Sequence, residues 1–60
     1  SLPLYIAKLR VDFAREELVN SRAPISAVAE KAGFSDPNYF SRIFTQYVGF
    51  TPSQYRKRFS

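Results

Sequence analysis

Asn38, Ser41, Arg42 and Thr45 are the residues of this chain whose types and spacing point to a definite chemistry. At 100° per residue they fall in one arc of a helix. An arginine bridges guanine O6 and N7, an asparagine pairs with adenine N6 and N7, and serine or threonine serves bases or phosphates alike. An ordinary solvated helix face more often carries Glu and Lys pairs, and neither residue occurs between Pro37 and Val48. Set in a helix-turn-helix, the arc reads as a surface for nucleic acid; alone it is equally a solvated face. Catalysis has little to work with. The chain has no Cys and no His, hence no thiolate, no imidazole base and no zinc set of the usual nitrogen and sulfur type. Its acids are scattered over separate predicted helices rather than clustered. No enzyme activity, metal or cofactor is expected.

The charge balance agrees with a polyanionic partner. Nine Lys and Arg against five Asp and Glu give +4 and a pI near 9.9, which favours DNA but also occurs on ordinary surfaces. Arg22, Arg42 and the run Arg56, Lys57, Arg58 are the candidates for salt-dependent phosphate attraction. The run also complements the dipole of a helix ending there, and both roles are compatible. No apolar stretch approaches the roughly 18 residues of a membrane span, and the start lacks signal-peptide regions. A soluble, cytoplasmic protein without a membrane partner is expected.

Four predicted helices must position these groups. Gly33 suits the left-handed residue that closes a helix, and Asp36 followed by Pro37 is an N-cap and first-turn pair that opens the next. The opened helix runs from Pro37 to about Val48, with Phe40, Ile43, Phe44 and Tyr47 inward, opposite the polar arc. Before the turn, Ile25 to Ala32 reads as a short supporting helix with Ile25, Val28, Ala29 and Ala32 on one face. Ser26 and the first backbone N–H groups of that helix are a further candidate phosphate anchor. After Gly49, Thr51 and Gln54 form a capping box with Pro52, and a last helix over 52–59 covers the core with Tyr55 and Phe59.

The long first helix, residues 3–20, carries two apolar stripes. Ile6, Leu9 and Phe13 make one; Leu4, Ala7, Val11, Ala14 and Leu18 make another roughly 150° away. Either the helix links two bodies of which one is present, or it is wrapped by its own short domain. Asn20 to Pro24 is a loop by composition. The fold class is all-α: a long N-terminal helix packed on a helix-turn-helix with a short C-terminal helix, a homeodomain-like orthogonal bundle. Sixty residues allow one small domain or part of one.

The segments YIAKLRV, ISAVAEKAGFSDPNYFSRIF and GFTPSQYRKRF, in that order, resemble the C-terminal part of the DNA-binding domain of AraC/XylS-type bacterial transcription regulators. The resemblance implies two helix-turn-helix subdomains joined by a long helix, each placing a recognition helix in the major groove of double-stranded DNA. Residues 1–60 would then be a single partial DNA-binding domain: linker helix at 3–20, helix-turn-helix at 25–48, C-terminal helix at 52–59. Ile6, Leu9 and Phe13 would face a first subdomain that this chain lacks, with Val11, Ala14 and Leu18 turned inward. Base contacts map onto Pro37, Asn38, Ser41 and Arg42, with Thr45 the next outward position. Pro37 departs from a base-reading residue, since it has no donor and only packs. Tyr39 lies at the margin, touching a phosphate or capping the core. The alternative reading is a protein-interaction module that docks to RNA polymerase or to the missing subdomain. The resemblance also implies a nucleoid-associated location in the bacterial cytoplasm.

Overall fold

The computed structural model describes residues 3–60, and among them there are four helices and no strand. α1 spans Leu4–Asn20, α2 Ile25–Lys31, α3 Pro37–Val48 and α4 Pro52–Phe59. α1 packs on all three others and, at about 25 Å for 17 residues, runs most of the 29 Å length of the bundle.

α1 forms because its interior holds neither Gly nor Pro and is rich in Ala, Leu, Glu, Lys and Arg. Pro3, expected inside the first turn, is instead the N-cap, and its carbonyl accepts from Ala7 N–H at 3.0 Å. The helix ends where Ser21 turns extended, at φ −138° and ψ 168°. Ser21 Oγ then accepts from Ala23 N–H at 3.3 Å, which shapes the loop leading to Pro24.

α2 stops at Lys31, one residue before the expected end, because Ala32 has become the C-cap of a Schellman closure. Gly33 N–H donates to Glu30 O at 3.0 Å and Phe34 N–H to Ala29 O at 2.9 Å, with Gly33 at φ +98°. The hydrophobic contact that accompanies this motif is present, since Ala29 and Phe34 both lie in the core.

The core is built on Val11, Ala14 and Leu18 of α1, Val28 and Ala29 of α2, Phe34 of the turn, and Phe40 and Phe44 of α3. Neighbouring rings continue through it: Phe34 to Phe40 at 5.2 Å between centroids, Phe40 to Phe44 at 5.6 Å, Phe44 to Tyr55 at 5.6 Å and Tyr55 to Phe59 at 4.7 Å. The tilted and edge-on angles are those that aromatic quadrupoles prefer. These rings tie the turn, α3 and α4 into one row.

Two inward assignments, Tyr47 and Phe59, need correction, and Leu4, on the stripe of Val11, Ala14 and Leu18, stays outside the core. Leu4 is 76% exposed, Tyr47 41% and Phe59 50%. Each lies in the first or last turn of its helix, where a periodicity gives the direction of a side chain but the bundle ends before covering it. Phe59 keeps its contact with Tyr55 along one side. On α1 the inward stripe reduces to Ala7, Val11, Ala14 and Leu18. The opposite side leaves Tyr5, Leu9 and Phe13 exposed and Ile6 half-buried.

Candidate nucleic-acid interface

α3 is set by its ends. Asp36, extended at φ −118° and ψ 112°, accepts from Asn38 N–H at 3.0 Å, and Pro37 takes the first helical position where no N–H is needed. Gly49 closes the helix at φ +88°. Between these ends Phe40 and Phe44 are fully buried and Ile43 is half-buried. With the inner face fixed by two buried rings, the opposite face points to solvent.

That outer face carries Pro37, Asn38, Arg42 and Thr45, all exposed, with Ser41 half-buried among them. Asn38 gives its backbone N–H to the cap, which leaves its side-chain amide for other partners. Arg42 makes no ion pair among the described residues. Thr45 is partly committed: its hydroxyl donates to Ser41 O at 2.7 Å, the back-bonding habit of threonine in helices. A methyl group and an acceptor lone pair remain to it. Gln46, which sequence reasoning passed over, is also exposed one turn beyond Arg42. Its i+4 spacing from Arg42 was the available signal.

The expected phosphate contacts are dispersed. Ser26 is exposed, and with Glu30, Gly33, Ser35 and Pro37 it lines an open cleft of about 620 Å³ between α2 and the start of α3. Glu30 gives that cleft mixed polarity rather than a basic floor. Tyr39 is half-buried with its ring 6.1 Å from Phe34. Arg22 is exposed in the loop before α2. Lys57 and Arg58 are exposed beside a separate hollow with Gly49, Phe50 and Gln54. Arg58 lies over the Phe50 ring at 5.5 Å and the Phe59 ring at 6.0 Å.

Arg56 departs from expectation. Its Nε donates to Leu18 O at 3.0 Å and its Nη2 to Ser21 O at 3.2 Å, so the half-buried guanidinium ties α4 to the end of α1. These are carbonyls left over at a helix C-terminus, and the cation also suits the negative end of that dipole. Arg56 is a brace between helices rather than a free phosphate ligand.

Further ties hold α1 against the motif. Lys31 reaches Glu17 at 2.9 Å, and Arg10 Nη1 donates to Gly33 O at 2.6 Å. Arg15 donates to the Tyr55 hydroxyl at 3.3 Å and pairs with Asp12 at 3.4 Å. The Tyr55 hydroxyl, accepting that bond, pushes the Arg15 pKa further up, with Asp12 adding to it. At the C-terminal end, Thr51 Oγ1 accepts from Gln54 N–H at 3.1 Å while Gln54 Oε1 accepts from Thr51 N–H at 3.0 Å, a complete capping box.

Residues 1–58 match the helix-turn-helix domain family. Among curated proteins, the chain is 42% identical over 59 residues to the HTH-type transcriptional activator RhaR of Yersinia pseudotuberculosis serotype O:1b (strain IP 31758), covering 98% of this chain and 20% of that protein. It is 46% identical over 52 residues to the protein of the same name from Escherichia coli O1:K1 / APEC, covering 87% of this chain and 18% of that protein. The chain thus spans about a fifth of the length of these relatives. No solved structure matches it. Among the described residues, no helix is long and apolar enough to cross a membrane.

Proposed function

Because the chain belongs to the helix-turn-helix family of AraC-type transcription regulators, a family of DNA-binding domains rather than of enzymes, we propose that α3 is the recognition helix of a bacterial transcriptional activator and reads double-stranded DNA in the major groove. The observation that carries this reading is the two-sided construction of α3: Phe40 and Phe44 fully buried, Asn38, Arg42 and Thr45 exposed on the other side. The major groove, about 12 Å wide, admits a helix.

In this reading Arg42 and Asn38 discriminate bases by bidentate contacts. Ser41 takes a base or phosphate oxygen, and Pro37 and the Thr45 methyl pack against sugar or a thymine methyl. Arg22, Ser26, Tyr39, Lys57 and Arg58 meet phosphates, which fix register without reading sequence. No catalytic step is involved. The protein acts in the bacterial cytoplasm on the nucleoid.

The exposed stripe of α1 supports a second contact within the same regulator. Leu9 is 62% exposed and Phe13 43%, on a helix whose other side is already buried. With Ile6 they form the face on which a companion helix-turn-helix subdomain packs, making α1 the linker between two DNA-reading halves.

The test is a comparison of two substitutions in the full-length protein, on duplexes selected by the wild type from a randomised library. Arg42→Ala relaxes base preference at one position by about 1 to 3 kcal/mol. Lys57→Ala weakens all sequences alike and lowers the salt slope by about 1. Equal loss on every duplex for Arg42→Ala would remove Arg42 from base reading.

A further inference from the structure

Arg10 makes a contact that DNA reading by α3 does not by itself account for. It lies on α1, four residues after Ile6 and three before Phe13, at the margin of the exposed stripe. From there its Nη1 donates to the backbone carbonyl of Gly33 at 2.6 Å, across 23 residues of sequence. A bond this short from a charged donor belongs to the stronger class of protein hydrogen bonds.

Gly33 is where the chain changes direction. Its φ of +98° turns the backbone out of α2, and its own N–H and that of Phe34 return to α2 carbonyls. Three residues later Asp36 opens α3. The guanidinium is packed against the glycine itself, for a Cβ at position 33 would stand 3.0 Å from both Cζ and Nε of Arg10. The turn is thus held from α2 by the Schellman bonds and from α1 by Arg10. The other polar link among the described residues from α1 to this region, Lys31 to Glu17 at 2.9 Å, grips the end of α2 rather than the turn.

We propose that Arg10 is a positioning residue for the recognition helix: by holding the Gly33 carbonyl from α1, it fixes the angle at which α3 leaves the turn. That angle decides which base edges Asn38 and Arg42 reach. Arg10 itself touches no base. The inference rests on the reading of α3 as the DNA-facing helix, and it adds a determinant of specificity that lies outside the helix-turn-helix.

The experiment uses the full-length protein, a duplex selected from a randomised library by the wild type, and a scrambled duplex of the same length. With Arg10→Ala the ratio of affinities, selected over scrambled, falls about fivefold as one exposed charge-assisted bond is lost. Affinity for the scrambled duplex, which is phosphate-driven, stays within about twofold. Arg10→Lys, which keeps a donor on a long stem, recovers part of the ratio. Amide hydrogen exchange provides a readout without DNA: protection of the Gly33 and Phe34 amides, which donate to Glu30 O and Ala29 O, falls about fivefold in Arg10→Ala, while α4 keeps its protection and so certifies the fold. Equal loss on both duplexes, or unchanged exchange at the turn, overturns the proposal. A wild type that binds selected and scrambled duplexes equally overturns sequence reading by α3, and exchange at the Gly33 and Phe34 amides then still decides whether Arg10 holds the turn.

Discussion

Two glycines with left-handed backbones allow steric strain and a specific contact to be separated. Gly33 and Gly49 both follow helices, at φ +98° and φ +88°. An alanine at either position meets the left-handed penalty of about 1 to 2 kcal/mol. Beyond that they differ. A Cβ on Gly49 meets nothing within 4 Å, whereas one on Gly33 stands 3.0 Å from the Arg10 guanidinium. Arg10 is flexible at that end and moves aside, so the added cost is its bond to Gly33 O rather than a rigid clash. That bond is exposed to solvent, which puts its contribution below the range of about 1.5 to 3 kcal/mol usual for a charged donor, at about 1 kcal/mol. Gly49→Ala should therefore cost about 1 to 2 kcal/mol and Gly33→Ala about 2 to 3. For a domain of this size each kcal/mol lowers Tm by about 4 to 8 °C, and total stability is on the order of 3 to 9 kcal/mol. Both variants remain folded when cool. Thermal unfolding followed by circular dichroism measures the gap, and repeating both substitutions in an Arg10→Ala background closes it. A Gly49→Ala variant as damaged as Gly33→Ala, or a gap that survives without Arg10, refutes the reasoning.

Two further substitutions follow from named bonds. Thr51→Ala removes the acceptor for Gln54 N–H and should cost about 1 kcal/mol, while Thr51→Ser retains most of it; chemical denaturation of the three proteins checks this. Arg56→Ala should lower Tm because it frees the Leu18 and Ser21 carbonyls, yet leave the salt slope of DNA binding unchanged. Lys57→Ala should do the reverse, so thermal unfolding and a salt titration on the same pair distinguish brace from phosphate contact.

The local punctuation of the fold was legible in the sequence. Gly33, Asp36 with Pro37, and Thr51 with Gln54 act within three residues of themselves, and each carries the backbone geometry or hydrogen bond its type demands. The inward rings of α3 were legible for a related reason: a period of 3.6 selects one direction, and Phe40 and Phe44 lie mid-helix where that direction meets the core. Leu4, Tyr47 and Phe59 show the limit, since a helical wheel has no ends and these residues stand at ends. Arg56 and Arg10 show another. Their acceptors are 38, 35 and 23 residues away, and no spacing rule distinguishes an arginine meant for a backbone carbonyl from one meant for a phosphate. Of the polar arc on α3, direction was readable from sequence, but the commitment of the Thr45 hydroxyl to Ser41 was not. It depends on a rotamer choice that the residue type leaves open.

The exposed side of α1 links stability to assembly. Tyr5, Leu9 and Phe13 are 70%, 62% and 43% exposed, while the opposite side of the same helix is filled by small or branched residues with almost no exposure. Fully covering one large apolar side chain contributes about 1.5 to 3 kcal/mol. Two that are largely open and a third that is nearly half open therefore represent about 3 to 5 kcal/mol of burial still to be made. A domain of 60 residues has on the order of 3 to 9 kcal/mol in total, so the gross gain from covering this stripe, before the cost of association, is a large fraction of what the bundle has alone. Arg10 stands between that stripe and the turn, on the helix that such a body would immobilise. If a body docks on α1, it should stabilise the fold and stiffen the anchor of α3 in the same step; the ratio of affinities for selected over scrambled duplexes, compared between wild type and Leu9→Asp, should then be smaller in the variant, and an unchanged ratio would refute this.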